Sequence, residues 1–514
     1  MKHLLLSATI CLATATATAT ATASAEEPLA AWRTTVDFGH DLGQNFGSLF
    51  EARDGQGRLV AGAGFMEAYN TRFRGDRHTV QFFVRPRAAN QFKIERLPHP
   101  DMDCGIYLFD LNQQLYTWTN ARNNRVKRWD AATRKWILDR SHVGGLSSGD
   151  GAMKLGKGLL VFRGNQARFG DRIILKPPAR GRYYNFYYAQ GRLFFYHTVR
   201  DRPGFTRIYA CPWSSADEKP IDLSQATVQQ AKYVGATPFA WGQFQGEVLT
   251  VTNQGGVHAF AGGRWRTLQE ADNTLNYQVY SMLNFYDRML MAQYPTGHLF
   301  DYRGGTQIRH IDGWPPRLPG VSRNAREAQT TAIYRGEMFT GVWPWAELWR
   351  YNRDVDKWTS MGRAFTHPEL TDKQTHPYEQ HTDRFKIVTN HWGQRITGMI
   401  PIGDSLFLST SAKGTYEWYK KYDFLTDKQR REYGAVLKLT MPGNLAAGLG
   451  WTDKPLTLEF QVYADRLVVR QDGREIGSSR FKIEDKTRVT GAKTTWGRGV
   501  FGPLNGRLLR QSSP

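Results

Sequence analysis

FAWGQFQGEVLTVTNQGGVHAFAGGRWRTL, residues 239–268, holds three short apolar runs separated by glycine-containing turns. The order is strand, tight turn, second apolar strand, loop, third strand, with a tryptophan near the end. The unit recurs. IYLFDLNQQLYTW (106–118) and its continuation RVKRWDAATRKW (125–136) have it, as does AIYRGEMFTGVWPWAELWRYNRDVDKW (332–358). Convincing helical periodicity is scarce, and the clearest helix candidate is LTDKQRREYG (425–434).

The second strands start near Leu115, Leu159, Leu193, Val248, Met289, Met338 and Leu406. Their spacing averages roughly fifty residues, which suits four-stranded propeller blades. The expected fold is therefore all-β, a seven-bladed β-propeller over residues 26–433. The long last interval carries a polar insertion, THPELTDKQTHPYEQHTDRF (366–385). Residues 434–514 read as β-hairpins that finish the last blade or pack on the propeller. The early strands GRLVAGAGF (57–65) and HTVQFFVRP (78–86) are expected to pair with these C-terminal strands and close the ring.

The N-terminus, MKHLLLSATICLATATATATATASAEEP, reads as a secretory signal over 1–25, with Lys2, a short apolar stretch and cleavage after Ala25. A secreted or periplasmic protein is expected. Cys11 lacks the small residue that precedes a lipidated cysteine, and Cys104 and Cys211 are left for one bridge at most. No later run is long enough to span a membrane as a helix. Lysine and arginine number 68 against 47 aspartates and glutamates, a formal net charge of +21. For an exported chain, a polyanionic polysaccharide or an anionic cell surface is the expected partner rather than nucleic acid. A monomer is expected.

In a blade, the start of the innermost strand and the loop between strands two and three share one face near the axis, where ligands usually bind. In RYYNFYYAQGRLFFYHTVRDRPGFTRIYACPW (182–213) this places Tyr184 beside Arg200, with Arg207 nearby. The same rule brings His142, Asn123, Arg122, Arg163, Asn165, His258 and Tyr294 to that face. Taken singly, each has a plainer reading: tyrosines in strands pack, loop histidines are surface residues, and terminal arginines are solvated. Their convergence carries the inference. Uronate polymers are cleaved by β-elimination, which needs cations or amides to neutralise the carboxylate, a base and an acid. Tyrosine can serve as either when a neighbouring cation favours its phenolate. Tyr184, His142 and Arg200 are the candidate catalytic set, with Asn123, Arg122, Arg163, Arg207, His258 and Tyr294 binding substrate.

Other signals are weaker. HPDMDC (99–104) gathers His99, Asp101, Asp103 and Cys104 in a spacing that matches no standard metal motif. Arg72, Arg74, Arg77 and His78 form a basic rim or a solvated loop. No P-loop, HExxH or GxSxG elbow is present.

With these motifs, YNTRFRGDRHTVQFFVRP (69–86) and YYNFYYAQGRLFFYHTVRDRPGFTRIYACPW (183–213), the chain resembles the secreted ulvan lyases of the seven-bladed β-propeller type. The resemblance implies cleavage of a sulfated uronate polysaccharide by a His, a Tyr and an Arg in the central cleft, an order that His142, Tyr184 and Arg200 match. Where that family places a second His one blade earlier, this chain has TNARNNR (119–125), so Asn123 or Arg122 stands there. No cofactor is required for the chemistry, and the family leaves room for a structural metal ion. Two other readings stay open. A propeller glycoside hydrolase needs a carboxylate pair, for which Asp201 and Glu347 are the candidates. A non-catalytic propeller would bind glycans without turnover.

Overall fold

The computed structural model describes residues 26–69, 73–86, 91–101, 104–119, 125–141, 143–144, 146, 150–274, 277–381, 390–414 and 423–514. His142, Asn123 and Arg122 lie outside them, as do the signal-like segment 1–25, Arg72 and Asp103.

The body of the chain is a β-propeller of antiparallel four-stranded meanders. Among the described residues there are seven: five separate sheets, and one at each end of a ten-stranded sheet. Their first strands are Ile106–Leu111, Gly151–Leu155, Arg182–Ala189, Pro238–Phe244, Gln278–Phe285, Glu327–Tyr334 and Gln394–Ile402. Each expected anchor, from Leu115 to Leu406, is the second residue of a second strand. Apolar clusters join successive meanders. Phe162 stacks on Phe186 with ring centroids 4.9 Å apart, and Tyr187 on Trp241 at 5.7 Å. One cluster unites Ile106 and Leu108 of the first meander with Ile400 and Phe407 of the seventh.

The seventh meander takes its outermost strand, Lys93–Arg96, from the N-terminal side of the ring. Lys93, Glu95 and Arg96 suit that place, because charged side chains on an edge strand discourage further pairing. The ring is therefore not closed by the strands expected to close it. Leu59–Phe65 and Thr79–Val84 do join a C-terminal strand, Asn444–Gly448, but in a separate five-stranded sheet. A second five-stranded sheet holds Ala30–Asp37, Leu456–Val462, Arg466–Gln471, Arg474–Arg480 and Arg507–Ser512. The two sheets share one core, in which Trp32 stacks on Phe50 at 5.0 Å and Phe82 and Phe460 pack at 5.4 Å. Burying each such ring contributes roughly 2–3 kcal/mol. The strand pairing thus divides the chain otherwise than at residue 434: a β-sandwich draws on both termini, while Val436–Thr440 belongs to the seventh meander. The helix foreseen at 425–434 is one turn, Asp427–Arg430, closed by a capping box between Thr426 and Gln429.

The sandwich covers one face of the ring, the face of the first hairpin turns. Every meander is tied to it or to the segment at 41–43. Gln113 donates to Thr79 Oγ1, Gly156 N–H to Asp41, Gly191 N–H to Leu42 O, and Gln243 to Gly43 O. Tyr286 N–H donates to Val500 O, Arg335 N–H to Asn444 and Ala446 N–H to Gly403 O.

The axis is filled from the same side. Ala68–Tyr69 pairs with the fifth meander's first strand, and Phe73–Arg74 runs parallel to the first meander's. Tyr69 Oη donates to Phe186 O at 2.9 Å and receives Arg74 Nη2 at 2.9 Å. Glu67 accepts from Tyr187 and Gln243, 3.9 Å from the Arg77 guanidinium. Arg77 also donates to Gly43 O at 2.6 Å, and His78 Nε2 meets Asp41 at 2.7 Å. Arg74, Arg77 and His78 are therefore buried groups rather than a solvated rim, each engaged by a hydrogen-bond partner that the fold brings to it.

Candidate functional site

With one face capped and the axis plugged, the bare edge is the one where first strands begin and second strands end. It carries the expected residues that the structure describes.

Tyr184 sits near the start of the third meander's first strand. A bulge separates it from Tyr187, and Asn185 takes a positive φ of 53° there. The Tyr184 hydroxyl donates to Ala236 O at 2.5 Å and lies 2.7 Å from Thr198 Oγ1. The Arg182 guanidinium lies 5.2 Å from the ring centre. Burial raises the phenol's pKa above its ordinary value, and Thr198, Arg182 and Arg200 oppose that without reversing it. Arg200 thus acts in the expected direction, but burial outweighs it, and Tyr184 holds its proton. The Arg200 side chain is solvent-exposed and passes Gly235, where a Cβ would stand 3.3 Å from Nη2; Gly235 has φ +83°, a backbone conformation that favours glycine.

Arg207 is exposed, with its guanidinium 4.3 Å from the Phe205 ring. Opposite it, His197 is buried and engaged with Arg180 O at 2.8 Å. Arg163 is exposed on a recess of about 620 Å³ lined also by Arg140, Ser141, Gln166 and Arg168. Asn165 is occupied as an acceptor for Tyr183 N–H. His258 is only 4% exposed, meets Thr267 Oγ1 at 3.2 Å, and is held neutral by burial, which lowers its pKa to about 4. It is a packed core histidine rather than an open ligand group.

Across the ring, the fifth to seventh meanders organise charge that the sequence reading missed. Glu327, fully buried at the start of a first strand, accepts from Arg395 Nη2 at 3.0 Å and lies 3.3 Å from Lys413 Nζ. Tyr280 Oη lies 3.2 Å from Glu327 Oε1. Lys413 Nζ stands 4.0 Å from the Trp343 ring centre and 5.2 Å from that of Tyr294. Burial and Glu327 raise the Tyr294 phenol. The available signal was positional: Gln278, Glu327 and Gln394 open three consecutive first strands.

The carboxylate pair that a hydrolase needs is not assembled. Glu347 is fully buried and accepts from Arg326 Nη2 at 3.1 Å, Leu318 N–H at 3.0 Å and Trp349 Nε1 at 3.0 Å, whereas Asp201 is an exposed loop residue. Of HPDMDC, the described His99 and Asp101 have partners elsewhere: His99 Nε2 meets Tyr433 O at 2.7 Å and Asp101 pairs with Lys127 at 3.2 Å. Cys104 and Cys211 are buried in different apolar clusters and are not bridged to each other. Among the described residues, ligand atoms suited to a metal converge at His298, His310 and Asp312. Also among the described residues, no helix is long and apolar enough to cross a membrane.

No family model matches the sequence, and no curated protein matches it. Solved propellers are similar at low identity. The WD40 β-propeller domain of Doa1 is 7% identical, covering 68% of this chain and 97% of that one, with a TM-score of 0.35. YCF48 bound to D1 peptide is 11% identical, covering 69% and 98%, with a TM-score of 0.35. BamB from Moraxella catarrhalis is 10% identical, covering 76% and 90%, with a TM-score of 0.32. The propeller assignment rests on the strand pairing itself.

Proposed function

We propose that this chain is an exported, monomeric polysaccharide lyase that binds an anionic, ulvan-like uronate polymer across its bare face and cleaves it by β-elimination. The observation that carries the reading is one neighbourhood: a tyrosine that holds its proton, Tyr184, beside the solvent-exposed Arg182 and Arg200 on the uncovered edge of a basic protein. Arg200 would neutralise the substrate carboxylate and acidify the adjacent C–H. A base, for which the resemblance supplies His142, takes that proton. The electron pair forms the new C=C bond as the C–O bond to the next sugar breaks. A phenol with a raised pKa suits the acid role, so Tyr184 gives its proton to the leaving oxygen. To do so it must release Ala236 O. No redox cofactor or metal enters this balance.

The same hydrogen bond favours a second reading. A hydroxyl engaged by a backbone carbonyl can simply be structural, which leaves a propeller that binds glycans without turnover. The purified chain, mixed with ulvan and with other uronate polymers, separates the two. The expected outcome is a rise in ultraviolet absorbance from unsaturated uronate ends, lost in Tyr184→Phe while polymer binding persists. Binding without any rise, in wild type and variant alike, establishes the second reading.

A further inference from the structure

We propose that His298, His310 and Asp312 form a binding site for a divalent transition-metal ion, zinc by ligand type, at the edge of the fifth meander. The strand register builds it. Leu299–Tyr302 pairs antiparallel with Ile308–Ile311, with Phe300 opposite His310 and Leu299 opposite Ile311. Side chains alternate between faces along a strand. His298, Phe300, His310 and Asp312 therefore share one face.

Their ligand atoms all lie within 4.8 Å of one another. His298 Nδ1 stands 3.0 Å from His310 Nε2 and 3.6 Å from Asp312 Oδ1. Ligands of a tetrahedral zinc, bonded at about 2.0 Å, are separated by roughly 3.3 Å, which those two distances bracket. Two imidazoles and a carboxylate match zinc's preference, and three protein ligands leave a fourth position open to water or a ligand.

The surroundings suit a cation that replaces a proton. Without metal, a proton on one ring nitrogen bridges to the lone pair of the other. Arg326 is paired with Glu347 at 3.1 Å. The backbone is held independently of any metal: His298 N–H donates to Thr296 Oγ1 at 3.2 Å and Leu299 N–H to Trp314 O at 2.6 Å. His310 and Asp312 are exposed, so the site opens directly to solvent. It lies at the bare edge, on the side opposite the arginine rim. It does not depend on the proposed lyase reaction.

The test uses the untagged chain and zinc alone. Equilibrium dialysis with metal analysis should find one zinc per chain, and cobalt(II) in its place should give the visible bands of a tetrahedral nitrogen and oxygen site. His310→Ala and Asp312→Asn should each weaken zinc binding at least tenfold, while His40→Ala, at an exposed position outside the cluster, leaves it unchanged. Substoichiometric zinc in the wild type would overturn the proposal. So would one zinc per chain in a His298→Ala/His310→Ala variant that melts like the parent. If that double variant does not fold, Asp312→Asn decides alone, since its side chain is 93% exposed and adds little to the fold.

Discussion

The bare face has two unlike sides. Around the second and third meanders, Arg163, Arg182, Arg200 and Arg207 stand in solvent without buried carboxylate partners among the described residues. Around the fifth to seventh, Arg395 and Lys413 converge on a buried Glu327, and Lys413 lies over Trp343. Both sides use tyrosines and cations at the same points of the repeat. What separates them is the carboxylate. A buried anion draws its cations inward and fixes them, whereas arginines without one stay solvated and available to a polyanion. Residue type and blade position name the candidates. The counter-charge decides which of them face outward.

Breaking the buried side should have the largest effect. Glu327→Ala leaves Arg395 uncompensated at 4% exposure, and removing one partner of a buried pair costs about 3–5 kcal/mol. The melting temperature should fall by several degrees, against a negligible change in Arg200→Ala. Equal melting of the two variants would dissolve the distinction between the sides.

His258 gives a pH test of which histidines are packed. Its folded pKa, about 4, lies below the ordinary value near 6.5. The unfolded chain therefore takes up a proton first as pH falls. The stability attached to neutral His258 is complete above that ordinary value and is lost on descending toward pH 4, up to about 3 kcal/mol in all. His376, also buried and lowered to about 3, acts in the same sense. His258→Asn should flatten denaturant-measured stability between pH 6.5 and pH 4 by up to one proton. An unchanged slope would mean that His258 is open to solvent, as a substrate ligand would be.

The repeat was legible because hairpins are local. Leu115, Leu193 and Met338 each follow a tight turn and open an apolar run, so adjacent residues encode the second strand. The sandwich was not legible, because no local signal tells Ala30–Asp37 that its partner is Leu456–Val462. The plug hid for a related reason. Arg74, Arg77 and His78 read as solvated until Tyr69, Gly43 and Asp41 are brought to them. At the candidate site, the sequence placed Tyr184 and Arg200 together. It could not weigh burial against the arginine's charge, and burial set the direction of the phenol's shift.

The smallest effect is expected on the open side, where it bears on function most directly. Arg163→Ala and Arg207→Ala remove exposed side chains with no ion-pair partner among the described residues, so each should change stability by less than about 0.5 kcal/mol. Their influence should appear in how polymer binding depends on salt. A cation that neutralises one charge of a polyanion releases about one counterion, so the plot of log affinity against log salt becomes shallower by up to about one per arginine removed. Titrations of ulvan at several ionic strengths measure this. Parallel lines for wild type, Arg163→Ala and Arg207→Ala would move the polymer away from the second and third meanders. A slope that flattens instead in Lys413→Ala would place it on the other side, where burial by Glu327 and Trp343 has withdrawn the charge from water.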